Sequence, residues 1–346
     1  MRRFTPLVAY VVLCSLSVAA AKGSWINAYI QLIIMFIGIN IVLSSSLNLV
    51  NGYMGEFSVG HAGFMAVGAY ITSILNVWLF TSSSIFGAPA LSPSSAIFLF
   101  PVTLLIGGMG AALAGLLVAI PSFRTRGDYL AIITLAVNYI VKSSIENIQV
   151  IGGARGFMGM RNVVNSMQDV VNLPWIMIWI FVAVGLTVWV IHRFVNSTYG
   201  KGIVAIRDDE IAAEIMSVDT RRMKMIAFML SSGMAGVAGG LFAHILGYIN
   251  PGTFTIMKST EIMVMVYLGG MGSLSGSVLS AIGFTLILEM FRPLQVAKWV
   301  VIPLLLILLM LFRTEGLLGN RELSDVFPRL RRIYSPGQKA GINVPS

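Results

Sequence analysis

Apolar runs recur along the whole chain, and that recurrence limits the possible folds more than any other feature of the sequence. A hydrocarbon core about 30 Å thick needs roughly 20 apolar residues of helix to cross it. Lipid offers no partner for backbone N–H and C=O groups, so spanning segments must be helices or closed barrels. Apolar residues make up 57% of the sequence and charged residues 11%, against about 25% charged in ordinary soluble domains. The expected fold is therefore all-α, a polytopic membrane bundle. Runs at Leu7–Ala21, Trp25–Leu47, Phe64–Phe80, Ala96–Ile120, Tyr129–Ile151, Trp175–Ile191, Met225–Ile249, Glu261–Glu289 and Leu294–Phe312 predict about eight to ten membrane segments. The first run ends in Ala19-Ala20-Ala21-Lys22, like the end of a secretory signal. It is expected to remain as a short first span.

One stretch cannot enter lipid. Lys201–Lys224 carries Lys201, Arg207, Asp208, Asp209, Glu210, Glu214, Asp219, Arg221, Arg222 and Lys224. A single charge at the bilayer centre costs about 2.5–3.5 kcal/mol on insertion scales, so this segment must lie in water between spans. Asp208, Asp209 and Glu210 suit the N-terminal end of a short helix reaching to about Met216. Ile211 and Ile215 would share one face of it. Such a helix can dock into a partner's groove or simply be a solvated loop. Arg221, Arg222 and Lys224 are expected to anchor the next span.

Lysine and arginine bias places the N-terminus with Arg2 and Arg3, the Arg124–Arg126 turn, residues 201–224 and the basic C-terminal tail in the cytoplasm. The same bias accounts for the net charge of +9 without nucleic acid, since no basic groove interleaved with aromatics is present. With the tail inside, Glu261–Glu289 must enter and return as a hairpin broken at Gly269–Ser277. The domains expected are a membrane domain at 1–320 and a flexible basic tail at 321–346.

Glycines interrupt two apolar segments, at Gly52–Gly63 and at Gly269–Gly276. Met54-Gly55 with Ser58 echoes Met271-Gly272 with Ser275, as internal repeats would. Broken helices in lipid leave backbone donors and acceptors that a polar solute can use. The candidates for a translocation path are Gly55, Glu56, Ser58, Gly60, His61, Gly269, Gly270, Gly272 and Ser273. The alternative is that these glycines allow tight packing, with Glu56 and His61 held in ion pairs or hydrogen bonds. Glu146, Glu261 and Glu289 each have a basic residue three or four positions away, which favours charge pairing over proton coupling. The single cysteine, Cys14, permits no internal disulfide, and His61, His192 and His244 have no metal-ligand spacing. Gly200-Lys201 lacks the upstream glycine and the following hydroxyl of a P-loop, so the chain is expected to hold no nucleotide or other cofactor and not to be an enzyme.

GKGIVAIRDDEIAAEIMSVDTRRMKMIAF at 200–228 resembles the cytoplasmic loop of branched-chain amino acid ABC-transporter permeases of the LivM type. GEFSVGHAGFMAVGAY at 55–70, RTRGDYLAIITLA at 124–136, GGARGF at 152–157 and PGTF with LGGMGSLSG between Pro251 and Gly276 follow in the family's order. The resemblance implies a coupling helix, with Arg207, Asp208, Asp209, Glu210, Ile211, Ala212 and Ala213 seated in a separate ATPase subunit that binds ATP and magnesium. It further implies a second, paralogous permease, a periplasmic or lipid-anchored substrate-binding protein and a place in a bacterial inner membrane. Branched-chain or other hydrophobic amino acids would be the cargo. The rival reading is an ion-coupled secondary carrier for a small polar solute, using Glu56, Glu261 or Glu289. Ser217, Ser277 and Ser280 depart from the family's pattern of glycine, proline or glycine, and glycine.

Overall fold

A computed structural model of the chain describes residues 5–23, 25–82, 87–123 and 129–293, together with 304, 307, 311, 316–319 and 322. Arg2, Arg3, the Arg124–Arg126 turn and most of the span expected at Leu294–Phe312 lie outside the described residues, as does the tail apart from Glu322.

In chain order the helices are α1 (Thr5–Lys22), α2 (Ala28–Asn48), α3 (His61–Phe80), α4 (Ala96–Ser122), α5 (Tyr129–Asn147), α6 (Met160–Val170), α7 (Trp175–Val195), α8 (Thr198–Asp208), α9 (Glu210–Ile215), α10 (Thr220–Leu246), α11 (Ile256–Gly269) and α12 (Leu274–Met290). Among the described residues, six helical segments are long and apolar enough to cross a membrane: Ala28–Tyr53, His61–Phe80, Pro93–Ser122, Tyr129–Asn147, Trp175–Val195 and Thr220–Leu246. Tyr10–Lys22 and Leu274–Met290 are shorter apolar helices. The all-α membrane bundle expected from the apolar runs is the fold observed.

Its centre is the three-helix contact of α3, α4 and α10, built on small residues. Lipid tails are as apolar as leucine, so close backbone approach and dispersion must hold helices together in a membrane. A Cβ on Gly68 would lie 2.2 Å from the Gly236 Cα, and one on Gly239 would lie 2.0 Å from the Met65 carbonyl oxygen. The small-residue stripe of α4 faces the same seam, with Gly107 on Thr72, Ala111 on Gly236 and Gly115 on Ser232. Between these helices Asn76 Nδ2 donates to His244 Nε2 at 3.0 Å, and Thr103 Oγ1 donates to Asn76 Oδ1 at 2.7 Å. His244 Nδ1 lies 2.7 Å from the Gly240 carbonyl oxygen, which can only accept, so Nδ1 carries the proton.

The polar stretch Gly152–Pro174, between two of the apolar runs, contains α6, whose Met160, Val163 and Met167 are buried at helical spacing. Phe157–Met158 within it form a two-residue strand antiparallel to Tyr248–Ile249. One expectation needs correction: the second glycine break is shorter than Gly269–Ser277. It covers Gly270–Ser273, because Ser273 Oγ accepts from the Gly276 N–H at 3.0 Å and starts α12 there. α11 is 14 residues long, about 21 Å, less than the hydrocarbon thickness. It folds against α12 where Gly269 and Gly276 leave no room for side chains, each Cβ meeting the other's carbonyl oxygen at 2.5 and 2.3 Å.

Candidate functional site

The charged stretch is two helices and a corner. Ser197 caps α8, accepting from the Gly200 N–H at 3.4 Å, and Ile203 and Ile206 bury its inner face. At Asp209 the backbone turns extended, and Asp209 Oδ1 accepts from the Ala212 N–H at 3.0 Å, which caps α9. Glu210 then stands in the first turn of α9, where the helix dipole favours a carboxylate. At the other end the Ser217 N–H donates to the Glu214 carbonyl (2.9 Å) and the Val218 N–H to the Ala213 carbonyl (3.1 Å). These are the paired bonds of a Schellman ending, whose corner residue must be left-handed. Ser217 has φ 62°, the one non-glycine with positive φ among the described residues. Ser217, expected as a departure from glycine, thus takes the left-handed conformation that glycine favours.

α9 is held at both ends and turns an apolar face outward. Ile211, Ile215 and Met216 are 63%, 77% and 78% exposed, while Ala213 is buried beneath. Of the expected coupling residues, Asp208, Asp209, Glu210, Ile211 and Ala212 are exposed and Arg207 is half-buried.

Beneath α9 lies the first interrupted helix. α2 ends in a widened π turn, Leu49–Tyr53, closed by the Met54 N–H on the Leu49 carbonyl (3.1 Å). An extended stretch then leads to α3. Three of its backbone donors and one at the start of α3 find partners in protein, as lipid requires: Glu56 N–H on the Val50 carbonyl, Ser58 N–H on Asn51 Oδ1, Val59 N–H on Thr134 Oγ1 and Ala62 N–H on Ser259 Oγ. His61 is buried and Nε2 meets Ser46 Oγ at 2.8 Å. Gly60 lies against Thr134, where a Cβ would come 2.3 Å from its carbonyl oxygen. Gly55 is left-handed at φ 76°, and Gly272 in the second break is left-handed at φ 83°, so the Met-Gly echo in the sequence is also an echo in backbone conformation.

The two breaks are joined through Asn48, which the sequence reading did not single out. Its Nδ2 donates to the Ser273 carbonyl (2.9 Å) and to Ser277 Oγ (2.7 Å), while Oδ1 accepts from the Gly272 N–H (3.0 Å). Gly52 has no side chain because a Cβ would lie 1.9 Å from Asn48 Oδ1 and 2.3 Å from the Gly272 nitrogen. One turn earlier Ser44 donates to the Ser277 carbonyl (3.1 Å), and two turns earlier Asn40 donates to Thr285 Oγ1 (2.9 Å). Asn40, Ser44 and Asn48 form a polar stripe at four-residue spacing, a signal present in the sequence. Ser277 and Ser280 are buried along the same helix, and Ser280 Oγ donates to the Ser277 carbonyl. Gly270 is left-handed and closes α11. Glu322 reaches the start of α12. Its carboxylate accepts from the Leu274 and Ser275 N–H groups (2.8 and 3.0 Å), from Ser275 Oγ and from Tyr53 Oη (3.1 Å).

Lys224, expected with Arg221 and Arg222 to anchor the next span, is buried in the first turns of α10. It is 6% exposed, and its Nζ donates to Glu56 Oε1 at 2.7 Å and to Glu210 Oε1 at 2.8 Å. Arg207 pairs with Asp208 at 3.0 Å and donates from Nη1 to the Gly52 carbonyl at 3.3 Å. The remaining acids considered for ion coupling are paired as their spacing suggested: Glu146 with Lys142 (3.6 Å), Glu261 with Lys258 (2.9 Å) and Glu289 with Arg292 (3.1 Å).

Residues 29–312 match the family described as the permease component of the branched-chain amino acid transport system. The high-affinity branched-chain amino acid transport system permease protein LivM of Escherichia coli K12 is 31% identical over 306 residues, covering 81% of this chain and 68% of that protein. The probable LivM of Methanocaldococcus jannaschii is 23% identical over 283 residues, covering 75% of this chain and 80% of that one. The high-affinity branched-chain amino acid transport system permease protein LivH of Escherichia coli K12 is 23% identical over 301 residues, covering 82% of this chain and 92% of that one. No solved structure matches.

Proposed function

This chain belongs to the permease-component family of branched-chain amino acid transport systems, and from that premise we propose that it is the membrane subunit of an ATP-driven importer. Its cargo is branched-chain or other hydrophobic amino acids, delivered by an extracytoplasmic binding protein. ATP and magnesium are bound by separate ATPase subunits, and a second permease of the same family completes the pore in the inner membrane. The termini lie in the cytoplasm, where α9 meets an ATPase. ATP binding draws the ATPase subunits together, and α9 carries that motion into the bundle so that the path opens alternately to each side. Of the path candidates, Gly55, Ser58, Gly60, His61, Gly269, Gly270, Gly272 and Ser273 line that path, while Glu56 is held by Lys224.

The observation that carries this reading is α9 itself. A six-residue helix capped at both ends, with Ile211, Ile215 and Met216 turned outward beside a charged rim, has the shape of a part that enters a groove. Isolated helices this short do not hold themselves together in water, so the caps are what keep it formed.

The test is assembly and uptake. Co-expressed with its ATPase subunits and partner permease, the chain should retain the ATPases through purification, and Ala212→Glu or Asp209→Arg should release them. Reconstituted with a binding protein, the assembly should accumulate leucine only when ATP is supplied. Uptake by this chain alone, driven by an ion gradient, would overturn the proposal in favour of a secondary carrier.

A further inference from the structure

Lys224 joins three elements that are distant in sequence: α10, which carries it; the extended stretch of the first break, through Glu56; and the first turn of α9, through Glu210. The lysine side chain is 8% exposed, that of Glu56 21% and that of Glu210 44%. An ammonium this buried is stable only with partners, so it cannot give up both carboxylates without a replacement. Arg207 makes a second tie alongside, from the last turn of α8 to the Gly52 carbonyl. Its stem lies over Gly55, where a Cβ would come within 2.5 Å of Arg207 Cγ. From Glu56 the connection continues through the π turn to Asn48 and across to Gly272 and Ser273 of the second break.

We propose that Lys224 is the positioning residue through which displacement of α9 moves the first interrupted helix, with Glu56 as its principal partner and Glu210 as its link to α9. This rests on the reading that α9 docks on an ATPase. The ammonium makes α9, the start of α10 and the Glu56 stretch move as one body. Glu56 matters more than Glu210 because its bond to Lys224 is the less exposed of the two, where water competes least.

The test uses the whole transporter in liposomes, with leucine uptake and ATP hydrolysis measured on the same preparations. Lys224→Met should still co-purify with the ATPases and hydrolyse ATP, while leucine moved per ATP falls roughly ten-fold, within the range of ordinary coupling energies. Lys224→Arg, which keeps the charge, should restore most of that ratio. Glu56→Gln should lower the ratio more than Glu210→Gln. Should Lys224→Met fail to assemble, the near-isosteric Glu56→Gln carries the test alone. An unchanged ratio in Lys224→Met or, where that variant does not assemble, in Glu56→Gln overturns the inference, as does a Lys224→Arg variant no better than Lys224→Met. Loss of the ATPases from the unmutated chain would instead overturn the docking reading.

Discussion

Gly68 and Gly110 separate two things that a glycine in a membrane helix can do. A Cβ on Gly68 meets the Gly236 Cα at 2.2 Å and its carbonyl oxygen at 2.3 Å, whereas a Cβ on Gly110 meets Ile71 Cδ1 at 2.4 Å. The distances are nearly equal and the atoms are not. Cδ1 ends a half-buried side chain that can turn into another staggered well. The Gly236 backbone belongs to α10, wedged between α3 and α4. Restoring an ordinary contact of about 3.5 Å requires α3 and α10 to separate by roughly 1 Å, which forfeits about a quarter to a half of each dispersion contact across the seam. Overpacking of this kind costs about 1–3 kcal/mol, against a gain of up to about 1 kcal/mol from replacing glycine by alanine in a helix. Gly68→Ala should therefore be net destabilising by about 1–2 kcal/mol, and Gly110→Ala neutral or slightly stabilising. Thermal unfolding in detergent, followed by tryptophan fluorescence, should show a midpoint a few degrees lower for Gly68→Ala only. Equal midpoints for the two variants would refute the argument that this seam depends on backbone contact.

Ser217→Gly should relieve the left-handed strain of the α9 ending, which for a residue with a Cβ is about 1 kcal/mol. Amide exchange across residues 210–218 should slow by roughly five-fold, and an unchanged rate would mean that the strain is absorbed elsewhere. Asn48→Leu deprives the Gly272 N–H of its acceptor and should cost about 1–3 kcal/mol. Ser277→Ala should cost less, because Asn48 Nδ2 keeps the Ser273 carbonyl. Unfolding midpoints in detergent that ranked these two variants the other way would refute the assignment of Asn48 as the joint between the breaks.

What could be read in the sequence was what depends on local spacing. The stripe Gly107, Ala111 and Gly115 is legible as a helix seam because four-residue spacing alone puts small residues on one face. Asp209, with Asp208 and Glu210, announced the start of a short helix, and it caps one because the Ala212 N–H is only three residues away. Lys142 and Glu146 paired for the same reason. What escaped depended on distant partners. Nothing near Lys224 distinguishes it from Arg221 and Arg222, and only the fold brings Glu56 to it. α6 was hidden in a stretch too polar to cross a membrane, although Met160, Val163 and Met167 already carried its period. The stripe Asn40, Ser44 and Asn48 was equally regular, and went unread because polar residues in an apolar run look like interruptions until their common face is counted.

The π turn Leu49–Tyr53 sets a rotational phase. Upstream of it, Asn40, Ser44 and Asn48 all point at α12; at its far end, Gly52 offers its carbonyl to Arg207 and Tyr53 its hydroxyl to Glu322. An α-helix advances roughly 100° per residue, and a π turn accommodates one residue more than an α turn before the ladder resumes. Deleting Val50 would close the widened turn into ordinary α-helix, leaving the upstream stripe in register while swinging everything after it away from its partners. The extra residue is thus a gear tooth, setting the angle at which one half of the bundle meshes with the charged helices and the other with the second break.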